Sequence, residues 1–480
     1  MKSTKQSTAN PVTPKKYTIA WGALSIFICI LTAYQLAQNP ENTLLYLGII
    51  AAILCMAIKP KWAFKIILSL PLIGELYRLP IGPDNGLIVT DLAIPLFSGV
   101  WSFKKLLDQK SGAPKSKLWT PLLLFSAAAV LSLVLSTTFL PIKEVLLGST
   151  YLIRYVSYAL LAFIVMDEIK NEQEAKSLIN CIIASALLLA IAGFMQLIVY
   201  PDLKALEEYG WDPHINRLVS TWLDPNFIGG FFAMVIAITL SLFFSTKKLS
   251  DKIALLTIVA ILGIALFLTY SRSAYIALAV SILVIGVLRS RTMLITCVVL
   301  FIIGVNVSPR AAERLEGLAT SVQSLISQSA QNPDPTARLR IKSWEQTLTL
   351  IQKRPIQGSG YNTLKYVNYQ EGFVENTDIH SASGSDASLL TILATTGILG
   401  FSPFLWLHFL VLKKSWKAWR GHPKNQTLQG LSLGLLAALL GLLTHSLFVN
   451  SLVFAPILLY LWISVGIQEK LSGISLNKAA

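Results

Sequence analysis

Charge is scarce in this chain of 480 residues: only 14% are Asp, Glu, Lys or Arg, against roughly 25% in a typical soluble domain. That shortage excludes an ordinary water-soluble enzyme, and the 54% hydrophobic content with a mean hydropathy of +0.61 points to membrane spans. Cysteine is scarcer still. Cys29, Cys55, Cys181 and Cys297 lie far apart inside apolar runs, with no CxxC pair to hold a metal or a redox disulfide. There is no tandem repeat, no nucleotide-binding glycine loop and no Asp-rich metal motif, so neither metal nor cofactor is expected. The 40 Lys+Arg against 25 Asp+Glu leave a formal charge of +15, which would suggest a nucleic-acid partner if it formed one patch. It follows membrane topology instead, and no nucleic-acid partner is expected.

About 14 runs approach the roughly 20 apolar residues needed to cross 30 Å of hydrocarbon. They lie near 17–37, 43–58, 62–80, 88–103, 118–137, 146–166, 177–200, 226–245, 252–270, 273–289, 291–307, 386–411, 427–446 and 449–468. Glu75, Arg78 and the turn-rich stretch from Pro80 to Gly86 interrupt the third and fourth, so a shallow re-entrant pair and a count of 12 is the alternative. With the N-terminus placed inside, every second loop carries the Lys and Arg clusters, roughly 25 basic residues against about half as many opposite. Both termini are then expected in the cytoplasm, with a disordered tail at 1–16, which has no cleavable-signal pattern, and a short one at 469–480.

One connection is far longer than ordinary loops. Residues 308–385 separate an N-terminal bundle (17–307) from the last spans (386–468), on the outer face, and are expected to carry structure of their own. Ala337 to Gln352 reads as an amphipathic helix with Leu339, Trp344, Leu348 and Ile351 on one face. It stops at Arg354-Pro355, and Gly358-Ser359-Gly360 permits a sharp turn.

Arginines on the outer side run against the positive-inside rule, so something must keep them there. Arg217 opens RLVSTWLDPNF (217–227), Arg272 sits in TYSRSAY (269–275) between two closely joined spans, and Arg338 and Arg340 begin the outer helix. Snorkelling to headgroups is an equal alternative for Arg272, and a buried structural pair for Arg154, which lies within a span. Gathered into one pocket, the outer arginines suit a diphosphate, because each guanidinium offers a planar fork of donors to phosphate oxygens. A polyprenyl-diphosphate-linked sugar, with its tail in the bilayer and its glycan outside, has the matching layout. Arginine would then stabilise the departing diphosphate.

Three stretches resemble the O-antigen ligase and polymerase superfamily of bacterial envelope glycosyltransferases. They are Arg217 to Asn226, Thr269 to Ser273, and the pair formed by 338–364 and 385–400 with its Arg-x-x-x-Trp helix, Pro-x-x-Gly-x-Gly turn and Gly-x-x-Gly span. The resemblance covers roughly residues 210–465. It implies an all-α integral membrane protein of the cytoplasmic membrane, with about 12–14 transmembrane helices, one large, partly helical outer loop and a GT-C-like architecture. It also implies glycan transfer from undecaprenyl diphosphate to a hydroxyl on a glycan, lipid or protein acceptor, without metal, and makes Arg217, Arg272, Arg338 and Arg340 diphosphate ligands. Where family ligases often have His at the start of the span after the loop, this chain has Asp386. Asp386, or His380 if the loop folds back, is the candidate base, against helix capping by Ser385 or Asp386 and a plain loop histidine. His445 reads as an interhelical hydrogen bond or headgroup contact, and His408 and His422 as non-catalytic. A flippase of lipid-linked glycan is the rival, and a protein O-oligosaccharyltransferase the alternative within the family.

Overall fold

The computed structural model describes residues 58–80, 86–108, 112–209, 214–309, 312–313, 316, 335–375, 385–421 and 425–477. The expected tail at 1–16, the span at 17–37 and all but the last residue of that at 43–58 lie outside the described residues, as do His380 and His422. Residues 64–480 pack as one unit, separate from residues 1–63.

Besides the run at 88–103, ten apolar runs become helices near where hydropathy puts them, except that the last is helical over Ala455–Asn477 and so takes in most of the tail expected at 469–480. In chain order, after α1 (Pro60–Ser69), hairpin strands β1 (Arg78–Pro80) and β2 (Gly86–Ile88), and α2 (Val89–Leu107), they begin with α3 (Trp119–Ser136), α4 (Ile142–Glu168) and α5 (Glu172–Val199). Next come α6 (Pro225–Ser245), α7 (Leu249–Leu268), α8 (Arg272–Leu288) and α9 (Arg291–Val307). The loop supplies α10 (Pro335–Lys353) and α11 (Leu364–Gln370), and the last spans are α12 (Ser388–Gly421), α13 (Gln426–His445) and α14 (Ala455–Asn477). Eight helices among the described residues are long and apolar enough to span, with α8 and α9 as shorter apolar helices. This is a multi-pass, all-α membrane protein. The run at 62–80 does not form one helix: α1 ends at Ser69, and 3-10 turns lead into the antiparallel hairpin pairing Arg78 with Ile88.

α6 and α13 form the centre. α6 is 78% buried, as expected of a helix apolar on every side, whereas α7 is only 17% buried and α9 buries no residue, leaving their apolar surfaces to lipid. Small residues let these helices touch: a Cβ at Gly434 would sit 2.7 Å from Ile238 Cα, and one at Gly441 would sit 2.6 Å from the Ala277 carbonyl oxygen. Side-chain oxygens start the helices. Asp224 accepts from the amides of Asn226 (2.6 Å) and Phe227 (3.0 Å), Ser271 caps α8 and Asn425 caps α13. At the end that carries the expected inner loops, Lys105 pairs with Asp167 (2.8 Å), and Lys414 pairs with Glu469 (2.6 Å).

α12 is broken at Gly397, whose φ of 59° and ψ of −169° are not helical. Lipid offers no partner to the backbone groups such a break releases. The turn at 355–360 supplies them: the amides of Ser359 and Gly360 donate to the carbonyls of Ala394 and Thr395 (both 3.0 Å), and those of Ile398 and Leu399 donate to Pro355 (2.9 Å) and Ile356 (3.3 Å). Ser132 of α3 joins them, its hydroxyl donating to Thr395 O (2.6 Å) and accepting from Gly360 N (3.0 Å). Because α10 runs directly into this turn, the lock also anchors the loop helix. The buried side of α10 differs from the expected one: Leu339 and Leu348 are 68% and 47% exposed, while Thr347 and Leu350 are buried and Arg340 and Trp344 half-buried. Arg340 and Trp344, each with a ring or guanidinium nitrogen fully buried, set the inward face.

The lock makes glycine obligatory. A Cβ at Gly397 would lie 2.1 Å from Ile356 O and one at Gly358 would lie 2.4 Å from Thr395 C, both at positive φ. Gly397→Ala and Gly358→Ala should each cost on the order of 2–4 kcal/mol and lower the thermal midpoint in lipid nanodiscs. Gly263→Ala, whose Cβ would meet nothing within 4 Å, should not.

Candidate functional site

The segment before α6 lies across the end of α7. The Leu218 amide donates to Leu268 O (2.9 Å), and Arg217 donates through Nε to Thr269 O (2.9 Å) and through Nη2 to Tyr270 O (3.4 Å). These are carbonyls a helix leaves unsatisfied at its negative end, so a cation is well placed there. Arg217 therefore has a structural hold on the turn that leads to Arg272, the first residue of α8. Within that turn Ser271 Oγ donates to Asn226 Oδ1 (2.8 Å) and contacts Ser273 Oγ (3.1 Å). Two of the predicted arginines thus flank one tight turn docked on the first residues of α6.

Arg340 of α10 lies near enough for its charge to act on His445 at the end of α13. The His445 ring is buried, its Nδ1 is 2.6 Å from Ser451 Oγ, and it faces the backbone of Asn226 and the charge of Arg340. Gly230 makes room for it: a Cβ there would lie 2.8 Å from the ring. Trp344, one turn beyond Arg340, places its ring 6.1 Å from that of Phe448. The hydrogen bond of His445 runs to Ser451 in the connection that follows its own helix, and not to a neighbouring helix. Arg338 is exposed at the start of the described part of α10.

Asp386 is exposed, with a left-handed backbone (φ 50°), two residues before α12. The first turn of α12 is held by other groups. Ser385 Oγ contacts Thr391 Oγ1 (2.9 Å), the Ser388 amide donates to Ser446 O (2.8 Å), and Thr391 donates to Asn450 Oδ1 (3.0 Å). All six non-glycine residues at positive φ among the described residues lie in these connections or beside them: Asn216, Ser220, Leu223, Tyr270, Asn362 and Asp386. Strain of this kind persists only where surrounding structure over-determines it, and it concentrates at working sites.

Beside this region opens a cleft of about 330 Å³ between Trp222, Asp224 and Phe227 at the start of α6 and residues of five other segments. Glu75 and Arg78, Leu147 and Tyr151 of α4, Asn362, Lys365 and Tyr366 after the lock, Thr391 of α12, and Asn450, Val453 and Phe454 complete it. Burial, reinforced by the charge of Glu144, raises the pKa of Tyr366, which keeps its hydroxyl neutral at the cleft wall. None of the cleft's residues is among the candidate site residues read from the sequence, although Trp222, Asp224, Asn362 and Thr391 lie within the stretches that carry the family resemblance. Among the described residues no three His, Cys, Asp or Glu side chains gather as metal ligands.

Arg154 lies apart from the outer arginines in its contacts. It pairs with Asp91, which is 7% exposed and also meets Tyr158 OH (3.5 Å), and its guanidinium covers the Tyr151 ring at 4.5 Å. The buried structural pair is the reading that fits.

Residues 256–405 match the O-antigen ligase family. The match runs from α7 through the turn at Arg272, α10 with Arg340 and the lock, to the first half of α12; Arg217 and His445 fall outside it. The resemblance to the O-antigen ligase superfamily is thereby supported. No curated protein matches the chain.

For Arg154 the pair makes a clear prediction. Arg154→Met should destabilise the protein by about 3–5 kcal/mol by stranding a buried carboxylate, and adding Asp91→Leu should restore most of the thermal midpoint. If the double variant melts as early as the single one, the pair is not what holds Arg154.

Proposed function

We propose that the chain is a membrane glycosyltransferase of the O-antigen ligase and polymerase type. In this reading it moves a glycan from a polyprenyl diphosphate, undecaprenyl diphosphate in bacteria, to an acceptor hydroxyl on the outer face of the cytoplasmic membrane. The observation that carries the reading is the Arg217–Arg272 turn, tied through Ser271 to Asn226 at the start of α6, with Arg340 near enough for its charge to act on the buried His445, in a chain whose residues 256–405 match that family.

The chemistry follows from that arrangement. The amino terminus of α8 is the positive end of a helix dipole and carries Arg272 at its first position, so a diphosphate there meets both amide donors and a guanidinium. Arg340, brought in by the loop helix, adds a second cation, while Arg217 fixes the turn and lends its charge. As the bond from the sugar carbon to the diphosphate oxygen breaks, negative charge grows on the leaving group, and donors already in place stabilise it without reorganising. The acceptor hydroxyl attacks the sugar carbon from the opposite face, so the anomeric configuration inverts. Its proton passes to a carboxylate, for which Asp386, exposed at the mouth of α12, is the candidate. Ligation and polymerisation share these steps and differ in the acceptor.

Arg272→Ala and Arg340→Ala should each slow transfer from a polyprenyl-diphosphate glycan by about 10²- to 10³-fold in reconstituted vesicles, with the thermal midpoint little changed. Arg217→Lys should keep the charge but lose the fork that grips the two carbonyls, giving an intermediate loss. Wild-type rates in all three variants would contradict the clamp.

A further inference from the structure

We infer that the cleft beside α6 is a saccharide-binding subsite, which seats a neutral sugar of the glycan next to the reacting bond. The inference rests on the transferase reading and adds the place where the sugar is held.

Three properties of the cleft carry it. The first is charge balance. Two carboxylates, Glu75 and Asp224, face two cations, Arg78 and Lys365, so the lining is neutral. Most of that charge is engaged within the protein as well: Glu75 pairs with Arg78 at 2.5 Å, and Asp224 accepts the Asn226 and Phe227 amides. A diphosphate entering here would meet as many negative groups as positive ones. A polyhydroxyl ligand would not be repelled.

The second property is the mixture of surfaces. Phe227 and Phe454, both half-buried, are stacked with centroids 3.8 Å apart and an interplanar angle of 8°, backed by the buried Trp222 5.6 Å from Phe454. Around these flat apolar faces stand the amides of Asn362 and Asn450 and the hydroxyls of Tyr151, Tyr366 and Thr391. Sugar rings present C–H faces and equatorial hydroxyls, which call for aromatic surface below and groups that both donate and accept around the edge. A cleft of about 330 Å³ is at the small end of ligand pockets, with room for a short saccharide.

The third property is position. Asp224 and Phe227 line the cleft, while Asn226 between them accepts from Ser271 beside Arg272. The cleft and the arginine turn thus adjoin the same helix end, so a lipid diphosphate at the turn leaves its sugar close to the cleft. Asn362 holds its place at φ 58°, a conformation that asparagine tolerates better than most residues. The Asn450 carbonyl oxygen is oriented by Thr391.

The test is saturation-transfer NMR on the purified full chain in lipid nanodiscs, because maltoside detergents are themselves sugars. The probe is the oligosaccharide repeat released by mild acid from the host's own surface polysaccharide, with inorganic pyrophosphate as the second probe. Asn450→Ala and Asn362→Gly, the latter preserving backbone freedom, should each weaken saccharide binding by about tenfold, roughly the loss of one hydrogen bond to a charged or well-placed hydroxyl partner. Pyrophosphate binding should not change in these variants and should fall in Arg272→Ala. Equal saccharide binding by wild type and both variants overturns the subsite. Arginine-dependent pyrophosphate binding with no saccharide binding also overturns it while leaving the transferase reading intact, and loss of both signals overturns both. Transfer kinetics then separate the two sources of sugar: a raised KM for the acceptor alone assigns the cleft to the acceptor glycan, and a raised KM for the lipid-linked donor alone assigns it to the donor glycan. A KM unchanged for both counts against the subsite.

Discussion

A broken helix inside a membrane must find partners for its released amides and carbonyls within the protein, and the break at Gly397 finds them in the turn from Pro355 to Gly360. Much else depends on this exchange. The turn cannot leave without stranding backbone groups of α12, and α12 cannot straighten without expelling the turn. Since α10 feeds into the turn with no intervening linker, a segment that would otherwise be a tethered outer loop becomes a fixed part of the bundle. The position of Arg340 against His445 follows from that fixation, as does the seating of Asn362, Lys365 and Tyr366 at the cleft.

The second organising feature is the amino-terminal end of α6. Asp224 caps it, Asn226 ties it to the Ser271 turn, Gly230 yields to His445, and Phe227 stacks on Phe454. Connections from widely separated parts of the chain converge on about six residues of helix, and most of the left-handed non-glycine backbone sits in those connections. Arginine has two kinds of work here. Arg217 terminates α7 by satisfying the carbonyls at its end, a structural task that needs the guanidinium fork, whereas Arg272 is the first residue of α8, at the positive end of the helix dipole.

The spans were legible because a lipid-facing helix must be apolar along its length; the run at 226–245 and the helix Pro225–Ser245 differ by one residue. The loop helix was legible too, but its inward face was not. Leu339, Trp344, Leu348 and Ile351 share a face by spacing, yet Leu339 and Leu348 are exposed while Trp344 and Ile351 are half-buried, because the contacts of Arg340 and Trp344, which periodicity does not mark, decide how the helix sits. Arg217, Arg272 and Arg340 stood out because they break a topological charge rule. Nothing of that sort marks Asn362, Asn450 or Tyr151, ordinary residues whose shared cleft exists only after the Gly397 lock and the hairpin at Arg78 have formed.

The central claim is that arginines from separate elements serve one anionic group at this helix end. It is tested most directly by the affinity of purified protein in nanodiscs for a polyprenyl diphosphate that carries no sugar. The account predicts saturable binding that weakens about tenfold or more in Arg272→Ala and in Arg340→Ala. Arg289→Ala, at the opposite end of α8 where the guanidinium contacts Phe244 O, should bind like wild type. Equal affinity in all four proteins would contradict it.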